Sequence, residues 1–128
     1  MFQHLQPSCD GMLARTGPTP MPAGSPYSVE IDAIGDDAWD TIASRFADIN
    51  PEQTACYASN YWKGHDSHLL LRRNGEPVAG ARVAIIRLPV IGRGLAFLRF
   101  GPFWRQQDAQ AEPGIYRAMM AALVKEYC

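Results

Sequence analysis

The chain has 128 residues, 47% of them hydrophobic and 20% charged, with a formal net charge of −1. That suffices for one domain with its own core, and the balanced charge argues neither for nor against a nucleic-acid partner. No apolar run reaches transmembrane length, the N-terminus lacks the regions of a secretory signal, and three scattered cysteines (Cys9, Cys56, Cys128) exclude a disulfide framework. A reducing, cytoplasmic setting is expected.

In chain order, residues 1–26 carry Pro7, Pro18, Pro20, Pro22 and Pro26 among Gly, Ser and Thr. Such a segment buries too little to offset its ordering entropy, so a flexible leader is expected, with the domain running from 27 to 128. Tyr27, Val29 and Ile31 alternate with Ser28 and Glu30 as a half-buried strand. A helix is expected from Asp36 or Asp37, with Trp39, Ile42, Ala43, Phe46 and Ile49 on one stripe and the aspartates at the positive end of its dipole. Asn50-Pro51-Glu52-Gln53 then opens a second helix: Asn50 suits the N-cap, Pro51 the first turn, and Gln53 a capping box. Thr54, Tyr57, Ala58, Tyr61 and Trp62 form its expected core face, and Gly64 its stop.

His68 to Trp104 reads as an antiparallel meander. Leu69, Leu70 and Leu71 suit a strand buried on both faces, and Asn74-Gly75 a type I′ turn with positive φ at both residues. In the return strand Val78, Ala81, Val83 and Ile85 alternate against Arg82, Ala84 and Ile86, and Gly80 marks a bulge or a close approach. Pro89 ends that strand, and Leu95 to Phe100 forms the next, closed by Gly101-Pro102. A third helix begins at Pro113, with Ile115, Met119, Leu123 and Tyr127 beside Tyr116, Met120 and Val124. The order β-α-α-β-β-β-α is the start of an α/β (α+β) layer expected to continue past Cys128. Left open, the stripe Ile115/Met119/Leu123 predicts self-association.

Charge is unevenly spread. Ser28 to Asp66 holds eight acids and two bases, whereas Ser67 to Arg105 holds seven arginines and one acid. Either the two portions complement each other in packing, which is favoured, or the sheet presents a basic surface to an anionic ligand.

The element order resembles the N-terminal part of the GNAT-superfamily N-acyltransferase fold. Three stretches resemble its FemAB-like members in particular: Gln53-Thr54-x-x-Tyr57, the hairpin from Arg73 through Gly75-Glu-Pro-Val-Ala to Arg82, and Leu88-Pro89 through Gly101-Pro102-Phe103-Trp104. The resemblance implies a transferase placing an acyl or aminoacyl group on an amine of a cell-envelope precursor, such as one of peptidoglycan or exopolysaccharide. Its implied donor is aminoacyl-tRNA or acyl-CoA, with tRNA a possible partner and DNA none. Three features depart from the family. The segment Trp104–Glu112 has no glycine and two acids where a pyrophosphate-binding loop is expected, which disfavours acyl-CoA and an ordinary acetyl-CoA-dependent N-acetyltransferase. Lys63 lies near, but about two residues from, the family's substrate-binding lysine. The remaining strands and the second domain are absent, so catalysis is expected to need further sequence.

Candidate substrate-binding residues are Arg99, Lys63, Tyr57 and Trp104. Arg99 ends its strand, where a guanidinium suits a phosphate or carboxylate, or pairs with an acid from the helices. Tyr57 and Trp104 are core residues or ligand walls. No catalytic residue stands out. Cys56 with His65-Asp66-Ser67-His68 can be drawn as a nucleophile site, but a helix interior and a helix-stop turn are poor places for it. No matched ligand joins the two histidines in a metal site. No RNA-binding motif is present. Beside the transferase stands a second function class, a non-catalytic binding or scaffold module.

Overall fold

The computed structural model describes residues 19–22 and 24–128. Most of the expected leader, with Cys9, lies outside the described residues. The described chain forms β1 (Thr19–Pro20), β2 (Tyr27–Ile31), α1 (Asp36–Ala43), a 3-10 turn (Pro51–Gln53), α2 (Ala55–Tyr61), β3 (Asp66–Arg73), β4 (Glu76–Leu88), β5 (Arg93–Phe97) and α3 (Pro113–Tyr127). The strands make one sheet in the order β1-β2-β3-β4-β5, and every pairing is antiparallel. The sheet takes in residues before the expected boundary at 27, because Thr19 and Pro20 pair with Val29 and Ser28.

Asn74 and Gly75 have φ of 52° and 87°, as a type I′ turn requires, and they set the β3–β4 register. That register slips between Leu71 and Arg72, which pair with Ala79 and Pro77. The extra residue, Val78, is the bulge, and the slip lets Val78 join Ala79, Ala81 and Val83 in one buried cluster. Gly80 answers to close approach instead. A Cβ there would lie 2.4 Å from Phe103 Cζ, and Gly80 and Phe103 exchange both backbone hydrogen bonds at 2.9 and 3.0 Å.

Because side chains alternate, the sheet is covered on both faces. Leu69, Leu71, Ala81 and Val83 meet α3, whose Ile115, Met119, Ala122, Leu123 and Tyr127 are buried. Leu70 faces the other layer, packed with Trp39, Ala43, Phe46, Ala55 and Phe103. The stripe expected to stand open on α3 is therefore closed by the sheet, and self-association through Ile115, Met119 and Leu123 is corrected: these are 5%, 0% and 7% exposed.

Two boundaries differ from expectation. The first helix stops at Ala43 rather than carrying its stripe to Ile49, because the hydroxyls of Thr41 and Ser44 donate to Asp37 O and Thr41 O, tightening its end. Main chain beyond it bonds to a distant segment: Ala47 N–H donates to Arg105 O, and Gln107 N–H to Arg45 O. Phe46 stays buried, 4.7 Å from the Phe103 ring, without being helical. The last strand ends at Phe97 rather than Phe100. The chain leaves β4 there and rejoins it at Phe103, so residues 98–102 arch away from Arg82.

Among the described residues, no helix is long and apolar enough to cross a membrane.

Candidate functional site

The arch in the last strand leaves a gap in the ladder, and Gln53 fills it. Arg82 directs its N–H and C=O toward the place β5 has vacated. Gln53 Oε1 accepts from Arg82 N–H at 2.8 Å, while Nε2 donates to Arg82 O and Arg99 O, each at 3.0 Å. One primary amide thus substitutes for a strand pair, satisfying three main-chain groups at a fully buried position. The capping role expected of Gln53 is corrected. Asn50 Oδ1 accepts from Glu52 N–H to cap the 3-10 turn, and Thr54 Oγ1 accepts from Tyr57 N–H to cap α2. Gln53 O also accepts from the Trp39 indole at 2.8 Å, which ties both helices to this point.

Helix α2 is fastened at its two ends, by Gln53 to Arg82 and by His65 O to Ile85 N–H at 2.8 Å. Its aromatic residues are not the core packing expected of them. Tyr61 is 69% exposed and stacks on the half-buried Tyr57 at 4.3 Å, with Trp62 edge-on to Tyr57 at 5.9 Å. The core face is supplied by small residues, Ala55 and Ala58, which leaves the rings as a ledge on the outside. Lys63 follows in a left-handed conformation (φ 49°) and is exposed, beside Gly64 (φ 86°).

Arg99 lies on the arch. Its Nε is 3.1 Å from Glu52 Oε2, its guanidinium carbon lies 5.3 Å from the Phe100 ring, and its side chain is 44% exposed. Trp104 does not join it. Phe103 points into the α1 layer, so Trp104 turns to the other face and packs 5.4 Å from Tyr116 of α3. Its main-chain N–H donates to the Asp48 carboxylate. Of the four candidates, Arg99 and Tyr57 share the α2 side of the sheet, Lys63 stands at the far end of α2, and Trp104 is across the sheet.

The acid-rich and arginine-rich portions do complement each other in packing. Arg72 pairs with Glu30, Arg82 with Asp66 at 2.7 Å and Arg99 with Glu52, while Arg73 reaches forward to Glu112. Arg82 is 4% exposed, 5.0 Å from the Trp39 ring. Such a buried pair is costly to break, because one charge is then left alone in a dry interior. Glu112 is the N-cap residue of α3; its carboxylate makes no capping hydrogen bond and pairs with Arg73, but it adds a negative charge beside the end of the helix where an anionic ligand would otherwise be favoured.

The residues of the possible nucleophile site are engaged elsewhere. His68 Nε2 accepts from Ile34 N–H at 3.1 Å, which places the ring proton on Nδ1, 3.5 Å from Asp32. Asp32 also accepts from His68 N–H and Ser67 Oγ, and Ser67 Oγ lies 2.6 Å from the Tyr127 hydroxyl. The Cys56 Sγ neighbour is Asn60 Nδ2 at 3.9 Å. Among the described residues, no group of three His, Cys, Asp or Glu side chains is placed to hold a metal.

Burial, and then the Arg82 charge, push the His68 pKa below 6.5. A base with a lowered native pKa is protonated first in the unfolded chain. Stability from this site is therefore complete above about pH 6.5 and falls as pH drops toward the native pKa. Urea melts across this range should show the decline, and His68→Gln should flatten it. An unchanged slope in the variant would contradict the neutral, Ile34-bonded imidazole.

No family model, curated protein or solved structure matches the chain.

Proposed function

We propose that the chain carries the donor-binding face of a FemAB-like, GNAT-superfamily transferase moving an acyl or aminoacyl group to an amine of a cell-envelope precursor. The observation that carries this is the arch at residues 98–102, which opens the sheet edge beside α2 with Arg99 on its rim. A half-exposed guanidinium at the edge of the arch offers an anionic donor a positive charge and a fork of hydrogen-bond donors. The stacked Tyr57 and Tyr61 lie on the same side, where a nucleobase or apolar acyl portion can rest. Catalysis at such a face is chiefly the positioning of an amine against an activated carbonyl. An aminoacyl-tRNA end is favoured over acyl-CoA, because Glu112 and the glycine-free segment before it disfavour a pyrophosphate at α3.

Filter binding with charged tRNA, uncharged tRNA and acetyl-CoA tests this without requiring turnover. Charged tRNA should be retained best, and Arg99→Gln should weaken retention by about tenfold or more, the worth of a hydrogen bond to a charged group. The same variant should cost at most about 1 kcal/mol of stability, because its ion pair with Glu52 is half-exposed. Retention of none of these, or equal retention by the variant, would contradict the proposal. A non-catalytic binding module is the second reading, favoured by the closure of α3 against the sheet; it predicts no donor binding at all.

A further inference from the structure

β4 is 13 residues long, but β3 accompanies it only as far as Ala84, opposite Asp66. Ile85 N–H still donates to His65 O; beyond it Ile86–Leu88 pairs with β5 alone, and a two-stranded ribbon projects about 10 Å past the sheet body. Such a ribbon is marginal in water by itself, which makes its surface informative. The four-residue turn at its end is Pro89-Val90-Ile91-Gly92, where Gly92 takes φ 60°. Turn tips are ordinarily polar. Here Val90 is 93% exposed and Ile91 64%, so neither serves the fold by packing. Behind them Leu88, at 43%, continues the apolar surface.

Along the chain, the charge next to this tip has one sign. Arg87 and Arg93 stand exposed on the two strands immediately behind it, and no acidic residue occurs from Pro77 to Gln107. Two features together select the partner. The tip is narrow and convex, too small for the roughly 800 Å² per side of a stable protein interface. The basic collar disfavours a second copy, which would bring like charges together. An anionic bilayer suits both: apolar side chains enter the headgroup–acyl boundary while arginines behind them meet lipid phosphates.

We infer that the β4–β5 tip is a membrane-docking device, with Leu88, Val90 and Ile91 entering an anionic lipid surface and Arg87 and Arg93 holding its phosphates. The inference rests on the ribbon alone and is independent of any donor bound at Arg99.

Flotation of the full chain with phosphatidylcholine vesicles, with and without about one-third phosphatidylglycerol, tests it. Binding should require the anionic lipid and weaken with salt. It should fall about fivefold for each of Arg87→Gln and Arg93→Gln, and at least about tenfold for Val90→Asp with Ile91→Asp. A thermal melt of each variant controls for folding, and exposed tip residues should leave it unchanged. Failure to float with anionic vesicles at low salt would overturn the inference, as would undiminished flotation of the tip variant. Light scattering that shows a dimer dissociated by the tip substitutions would overturn it in favour of a self-interface.

Discussion

Gln53→Leu should be among the most destabilising single substitutions in the chain, at about 4 kcal/mol. Leucine nearly conserves volume, so the loss comes from polar groups and not from a cavity. Arg82 N–H, Arg82 O and Arg99 O all lose their partner in a dry gap, and each such orphan costs about 1–3 kcal/mol. Gln53→Glu separates this account from a capping role. At a capping box glutamate serves as well as glutamine, and stability would be unchanged. In the gap it keeps the acceptor for Arg82 N–H but turns a carboxylate toward two carbonyl oxygens. Its native pKa would then be raised, so its stability is greatest below the unfolded value of about 4.3 and is lost as pH rises. Chemical denaturation at about pH 4 and at neutral pH reads the difference. Near-wild-type stability of Gln53→Glu at neutral pH would contradict the ladder-filling role.

Gly80→Ala is the second large effect, and the two explanations for this glycine predict opposite signs. If Gly80 only weakened a strand, alanine would reduce unfolded-state entropy and stabilise by about 0.4–1 kcal/mol. With Phe103 Cζ 2.4 Å from the new methyl, the ring and its bridge to β4 must shift instead. Phe103 is fully buried between the Trp39 and Phe46 rings, so it has little room to move. A destabilisation of about 2–3 kcal/mol is expected. Adding Phe103→Leu should recover at least about 1 kcal/mol relative to additivity, and a double-mutant cycle by urea denaturation measures it. Strict additivity would mean that the two residues do not share this contact.

These two residues also mark where the sequence was legible. Local chemistry carried the meander: three adjacent leucines, an Asn-Gly turn and a proline stop each fix backbone or burial within a few positions. All three Leu69–Leu71 side chains are fully buried, because both faces of β3 are covered. The start of α3 was equally plain, since Pro113 marks its first turn. What failed were placements decided by distant chain. The Phe46 spacing fits a helical stripe, yet its burial is set by Phe103, nearly sixty residues away in sequence, and helix was not needed to achieve it. Tyr57, Tyr61 and Trp62 fit an apolar helix face, but Ala55 and Ala58 took the inner positions. Gln53 has every local mark of a cap. Its actual role depends on a strand leaving the ladder at Phe97, and the only hint was Gly101-Pro102 interrupting the pattern beyond it. For the site, the pairing of Arg99 with an acid from the helical portion was legible as one of two alternatives, but its place was not, because the strand ends at Phe97 and Arg99 lies on the arch beyond it. That Trp104 faces the opposite side was not, because the arch resets the alternation between Phe97 and Phe103.

The central claim is that an acyl or aminoacyl donor engages the α2 side of the arch. Backbone amide shifts in the full chain, followed by NMR on titration with a stable aminoacyl-adenosine analogue and separately with acetyl-CoA, test it most directly. The account predicts shifts confined to Glu52, Gln53, Tyr57, Tyr61 and residues 98–101, produced by the aminoacyl-adenosine and abolished in Arg99→Gln. Shifts centred on Trp104 and the first turn of α3, or none with either compound, would contradict it.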